Sequence, residues 1–450
     1  MLPSYLDVAL RLVERARAAG ADEADVSVGA GNTLSVTVRK GDVEKLVEAT
    51  SKGLSLRVFR DGRSAIVSTS DFSSDSLDSL VSDALDLSSI GDPDPAAGLP
   101  DAMLSDGVVT AETLGLFDPV VPNLVPALLI NTARRAEAAA YGYDPRVTNS
   151  DGGSASRWFG RRTLVMSNGF QGSYTGTTCS VGASAMCDDA ENKKRNDGWS
   201  STRRRFDLLD QPEEVGRKAA ERAVRRLGAR KVTTRRVPVV WESTVARSFL
   251  ALLAGAANGS RMYRSSSFLV GHEGAAIASP LLTVIDDPTI PGLPASRPFD
   301  GEGLPSRRNM LFERGAFVGF LFDTYSARKS QRSSTHSASR SGGVGVGTTN
   351  LWLERGQMSV EQVIAGVPDG LYLTDLLGHG DNLVTGDFSR GCGGIWIEHG
   401  QLTYPVAEIN VSGQLRDMLL DIDAVAGDLE FRGAISSPTF RMAELTVSGT

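Results

Sequence analysis

Between Ala24 and Asp71 apolar and polar residues alternate for most of the run. A period of two belongs to a strand with one buried face, so this stretch constrains the fold more than any other. Lys40-Gly41-Asp42, Ser51-Lys52-Gly53 and Asp61-Gly62 interrupt it and read as tight turns, which predicts an antiparallel meander. Helical spacing flanks the meander. Leu6, Ala9, Leu10, Val13 and Ala16 share one face of a helix that Gly20 ends, and Ser73–Ser88 reads as a second helix. A Pro/Gly/Asp-rich loop over residues 91–101 follows, then a helix around Val121–Tyr143 and alternating strands through Ala185. A further helix, Glu213–Leu227, closes the first half.

The second half opens with a short strand, VPVVW, and an apolar helix over Thr244–Asn258. Beyond it the chain is rich in glycine and in strand-forming residues. Glu313-Arg314-Gly315, Glu354-Arg355-Gly356 and Glu398-His399-Gly400 are spaced as hairpin turns. The expected class is α+β, with an α+β domain over 1–230 and a mostly-β domain over 231–450. Neither GxGxxG nor GxxxxGK[ST] occurs, which argues against dinucleotide and P-loop folds.

At 450 residues the chain exceeds a single compact core, and 41% hydrophobic with 22% charged residues is ordinary globular composition. No apolar run reaches the ~18–20 residues needed to span a bilayer. Asp7, Glu14, Arg15 and Arg17 interrupt the N-terminal apolar residues, so this segment reads as an amphipathic helix rather than an export signal. Cys179, Cys187 and Cys392 cannot all pair, which favours a reducing compartment, and cytoplasmic placement is expected. The net charge of -7 argues against nucleic acid as a direct partner. Basic clusters at Lys193-Lys194-Arg195 and Arg203-Arg204-Arg205 read first as solvated faces, and second as a docking surface for an acidic partner.

Chemistry has few places to sit. The histidines are His272, His336, His379 and His399. A zinc peptidase needs two imidazoles on one helix face, with a glutamate to activate water. His272-Glu273 begins such a pattern, but Ala276 and Ile277 stand where the second imidazole belongs. Cys392 offers a thiolate, although a small buried thiol among glycines is the commoner reading. There is no GxSxG elbow, and His336 lies in a Ser-rich segment that reads as a mobile loop. Asp300 and Glu302, in a Gly/Pro loop, read as capping or ion-pairing carboxylates. The segment 326–340 is basic and is followed by SGGVGVG; it reads as a surface loop, or as a loop and strand edge that accepts an extended peptide.

Several blocks point to a family. GLSLRVF (53–59), MYRSSSFL (262–269), DDPTIPGLPASRPFDGEGLPSRR (286–308), DTYSARK (323–329) and TGDFSRGCGGIWIEHGQLTYPVAEINVSGQL (385–415) resemble the TldD/PmbA family in its PmbA (TldE) branch. The resemblance implies an N-terminal α+β domain, a C-terminal β domain and a dimer around a peptide cavity. It also implies that TldD-type zinc is held by an HExxxH helix plus a cysteine near the C-terminus. Carried onto this chain that ligand set is incomplete. His272, Glu273 and Cys392 are its vestigial candidates, no catalytic residue is expected, and zinc is expected in a TldD-like partner.

Arg328, Lys329 and Arg390 are the candidate substrate-binding residues. The expected role is a non-catalytic, peptide-binding subunit working with a TldD-like protease subunit on unfolded peptide, with a homodimer as a further possibility when isolated. The alternatives are a metallopeptidase with its own unusual site, and a gyrase-associated adaptor without proteolytic role.

Overall fold

The computed structural model describes residues 5–101, 109–341 and 343–449, and residues 1–4 of the N-terminal segment lie outside that range. The fold is α+β. Seven strands form the first sheet: β1 (Glu23–Arg39), β2 (Asp42–Arg60), β3 (Arg63–Thr69), β4 (Val147–Asn149), β5 (Gly153–Met166), β6 (Gln171–Asp188) and β7 (Lys194–Arg203). Their order is β3-β2-β1-β5-β6-β4, with β7 also paired to β6, and every pairing is antiparallel.

Four helices cover one face of this sheet: α1 (Leu6–Ala18), α2 (Ser74–Ile90), α3 (Pro126–Tyr141) and α4 (Pro212–Val224). Ala9, Leu12, Val13 and Ala16 of α1 pack with Leu77, Leu80 and Val81 of α2 onto Val26, Val28, Leu54 and Leu56. Those strand positions share a parity, as one buried face requires. The meander is therefore present, but Ser51-Lys52-Gly53 is not a turn. It lies inside β2, where Gly53 faces Gly29 in register. The helix expected from Val121 is split: a short 3-10 turn spans Val121–Asn123, and α3 begins at Pro126. Proline has no N–H to donate and suits a first helical turn.

The second half contributes β8 (Arg235–Trp241), β9 (Val284–Asp286), β10 (Asn309–Glu313), β11 (Ala316–Phe317), β12 (Ala338–Arg340), β13 (Val344–Val346), β14 (Leu351–Leu353), β15 (Asp369–Leu377), β16 (Asp387–Glu398), β17 (Gln401–Gln414), β18 (Ile422–Val425), β19 (Ile435–Ser436) and β20 (Phe440–Ser448). Helices α5 (Ser243–Ala256), α6 (Gly259–Tyr263), α7 (Thr324–Lys329), α8 (Val360–Ala365) and α9 (Leu415–Leu420) interleave with them. Strands β17, β16, β15, β8 and β20 pair in that order, and β20 pairs back to β17, so the ladder closes on itself. Closure removes the exposed edges that an open sheet would leave. Trp241, Phe249 and Phe440 stack at its centre, with the Trp241 and Phe440 centroids 5.7 Å apart.

Glu313-Arg314-Gly315 turns the β10–β11 hairpin and His399-Gly400 the β16–β17 hairpin; Arg314, Gly315, His399 and Gly400 all take positive φ. Glu354-Arg355-Gly356 turns no hairpin. The Gly356 N–H donates to the Ala426 carbonyl, and the chain runs on to α8. The Ser-rich stretch from Ser326 is packed rather than loose: Ser326 and Ser337 are buried, and His336 holds its Nδ1 2.7 Å from the Pro305 carbonyl. Among the described residues no helix is long and apolar enough to cross a membrane.

Candidate functional site

A recess of about 950 Å³ lies where α4, β6 and β7 of the first sheet meet the N-terminus of α5, β15 and β19. Arg222, Asp197 and Asp375 of its lining belong to a charge network that continues behind it to Glu242 at the N-terminus of α5. The Glu242 carboxylate, outside the lining, accepts from Arg222 Nη1 at 2.8 Å, Arg225 Nη2 at 2.9 Å and Thr244 Oγ1 at 2.7 Å. Burial alone would raise the Glu242 pKa, but Arg225, Arg222 and the Thr244 hydroxyl together hold it below the ordinary carboxylate range. Arg222 also reaches Asp197 at 3.2 Å, Asp197 meets Arg226 at 3.5 Å, and Arg226 meets Asp375 at 2.7 Å. An alternating ladder of charge thus runs from α5 through α4 and β7 to β15. Trp199 stands between two guanidinium groups, 4.1 Å from Arg432 and 5.3 Å from Arg222, where the ring faces favour cations.

Helix α5 opens into this cleft and packs against β19 near the chain end. Laid over Glu242, the HExxxH pattern puts Trp241 and Ala246 at the imidazole positions, and both are fully buried in the core. Across the cleft β19 reads Ile435-Ser436, followed by Ser437, with no thiol. The cleft's ionisable lining consists of aspartates, one glutamate and arginines, without histidine or cysteine. Zinc sites are built from imidazole and thiolate as well as carboxylate, so this donor set does not fit the metal.

The sequence candidates lie elsewhere. His272 and Glu273 occupy a turn after α6 rather than a helix, and Glu273 pairs with Arg332 at 3.1 Å. Cys392 is buried in β16, facing Leu376 and Ile409 in register, and burial pushes its thiol up to about 12. Among the described residues no three of His, Cys, Asp and Glu are grouped to hold an ion, so these candidates are not brought together.

Arg328 donates to the Ala96 and Leu99 carbonyls and to Asp101, and Lys329 meets Asp94 at 3.1 Å. Both tether the 94–101 loop to α7. Arg390 donates its Nε to Asp381 at 2.8 Å. All three are occupied within the chain, and none lines the cleft. Asp300 accepts the Glu302, Leu304 and Ala338 N–H groups, and Glu302 accepts that of Thr324, so both act as buried caps.

The basic clusters are likewise engaged. Lys193 pairs with Glu408, Lys194 with Asp188, Arg195 with Asp189, Arg203 with Glu430 and Arg205 with Asp207. Arg204 is buried and donates to the Leu293, Pro294 and Ser296 carbonyls, pinning the second half to the first sheet.

Sequence reasoning missed Glu242, Arg222, Arg226, Asp375 and Trp199. The one local signal was Trp241-Glu242 at the start of an apolar helix, a glutamate where an apolar run begins.

Three family models of the PmbA/TldA metallopeptidases match in succession: domain 1 over residues 24–88, the central domain over 121–227 and the C-terminal domain over 234–449. Metalloprotease PmbA of Escherichia coli O157:H7 is 34% identical over 429 residues, which cover 95% of this chain and 92% of that protein. The Metalloprotease PmbA homolog of Haemophilus influenzae is 34% identical over 440 residues, covering 97% and 94%. A crystal structure from Bacteroides thetaiotaomicron, described as a modulator of DNA gyrase, superposes with a TM-score of 0.91 at 28% identity, covering 99% of this chain and 98% of that one. With three successive domain models matched and full-length relatives at this identity, the chain belongs to the PmbA/TldD metallopeptidase family.

Proposed function

We propose that this chain is the peptide-binding, non-catalytic subunit of a PmbA/TldD-type metallopeptidase, and that a TldD-like partner carries the zinc and cuts unfolded peptide in the cytoplasm. The observation that carries this reading is the arginine clamp on Glu242. A general base must be free to approach water and take its proton. Here the only carboxylate at the head of α5 accepts two guanidinium groups and a hydroxyl, and its proton affinity is lowered rather than raised. If the HExxxH pattern is set on Glu242, Trp241 and Ala246 fall at its imidazole positions, and neither can bind a metal. What the cleft retains is an open, polar recess suited to holding a chain rather than breaking one.

The test compares the purified chain, a TldD-like subunit and their mixture on an unfolded peptide. The mixture should cleave, the lone chain should not, and the lone chain should carry no stoichiometric transition metal. Hydrolysis by the lone chain together with a tightly held metal would overturn the reading.

A further inference from the structure

We propose that Arg247 of α5 selects peptides by a carboxylate, so that the cleft prefers segments carrying an acidic side chain or a free C-terminus; this rests on the peptide-binding reading above. The two halves of the chain each supply a wall. Thr37, Ser154, Gly182 and Ser200 are register neighbours across β1, β5, β6 and β7, and they give the first sheet's wall a row of small residues. Helix α5 supplies the second wall. Its Ser243, Thr244, Arg247 and Ser248 line the cleft, while Phe249, Leu250 and Leu253 are buried in the core of the second half. Residues spaced by three or four along a helix share a face, so Arg247 stands on the polar side of α5.

Most charged groups on these walls hold one another. Asp197 pairs with Arg222 at 3.2 Å, and Asp375 with Arg226 at 2.7 Å. Glu430 pairs with Arg432 at 2.8 Å, and Asp428 accepts the Thr439 N–H and hydroxyl, each at 2.8 Å. Arg247 and Asp151 are left over. Both are exposed, and neither side chain has a hydrogen bond, ion pair or ring contact among the described residues.

Five carboxylates line this recess, and none of them closes on Arg247. A guanidinium that supported the fold would be held as Arg222 and Arg432 are. Arg247 instead offers a planar fork of N–H donors to the cleft, the geometry that takes a carboxylate through two parallel hydrogen bonds. Asp151 gives the cleft a polarity. It lies just before β5, on the first-half wall, and repels a carboxylate there. An acidic peptide is therefore directed towards α5. A neutral peptide gains nothing from Arg247 and is held by the rest of the walls.

The test measures binding of dye-labelled, unstructured peptides to the full chain. One alanine, glycine and serine sequence is made with a central Glu or Gln, and with a C-terminal carboxylate or carboxamide. Wild type should bind at least one carboxylate-bearing form about three- to tenfold more tightly than the neutral peptide, and the advantage should shrink as salt rises. The form that gains shows whether the carboxylate belongs to a side chain or to the chain end. Arg247→Gln should erase the preference and leave affinity for the neutral peptide unchanged, while Arg247→Lys should keep part of it. Glutamine matches arginine in helix propensity, so the urea midpoint should not move. Arg11→Gln removes the same charge from α1, outside the cleft, and should keep the full preference.

Equal affinity of wild type for every form, or a preference that survives Arg247→Gln, overturns the inference and leaves the peptide-binding reading standing. If wild type binds none of the peptides, alone or with a TldD-like subunit, both fall.

Discussion

Arg222 Nη1 stands 2.8 Å from Glu242 Oε2, joining the last helix of the first sheet's covering layer to the first helix of the second half. The pair is enclosed, with side-chain exposures of 6% and 10%, and Arg225 closes it from the other side. A buried pair is weak evidence of stability by itself, but losing one partner strands the other.

Arg222→Ala should therefore destabilise the protein by about 3 kcal/mol, at the low end for a broken buried pair because Arg225 still reaches Glu242. Glu242→Gln tests the charge. The folded pKa of Glu242 lies below its ordinary 4.5, so its contribution is present above that value and is lost as the pH falls through the folded pKa. Urea unfolding should show a gap between wild type and Glu242→Gln at neutral pH that closes in acid. A gap of the same size at both ends would show that the carboxylate's charge does not matter.

The parts of this fold that could be read from sequence are those with a local period. Leu12, Val13 and Ala16 announce α1, and the even-numbered apolar residues of β1 announce the covered face. Ser51-Lys52-Gly53 misled because a glycine inside a strand has the same composition as one that turns a chain. The cleft was illegible for a different reason. Asp197, Arg222, Glu242 and Asp375 come from β7, α4, the head of α5 and β15, and only the tertiary fold brings them together. His272-Glu273 drew attention through adjacency in sequence, yet it lies on a turn paired to Arg332.

Helix α4 meets α3 through small residues, and Gly216 marks their closest approach. A Cβ there would lie 2.0 Å from the Ala136 carbonyl oxygen and 2.9 Å from the Ala139 Cβ. Helical propensity alone would favour alanine at this position by about 1 kcal/mol. The contact reverses that preference, because backbone cannot move aside as a flexible side chain can. Gly216→Ala should lower stability by roughly 1–3 kcal/mol, and Gly216→Val by more. A rise in the urea midpoint for the alanine variant would mean the helices sit further apart than described.

Asp286, at the end of β9, is 1% exposed and accepts the Thr349 N–H at 2.6 Å and the Thr349 hydroxyl at 3.0 Å. Burial raises its pKa from 3.8 to about 6, and nearby Asp287 adds to the rise, while Thr349 and Arg297 oppose it. The folded state thus holds this proton more tightly than the unfolded chain does. Its stabilising effect is complete below about pH 4 and is lost as the pH rises through about 6. Asp286→Asn keeps an oxygen for Thr349 and never ionises. At pH 8 the variant should be more stable than wild type by up to about 3 kcal/mol, taking ~1.4 kcal/mol per unit of pKa. The advantage should shrink through pH 6 and disappear near pH 4. Urea unfolding of both proteins across that range checks it, and an offset that does not change with pH would show that Asp286 keeps its charge in the folded core.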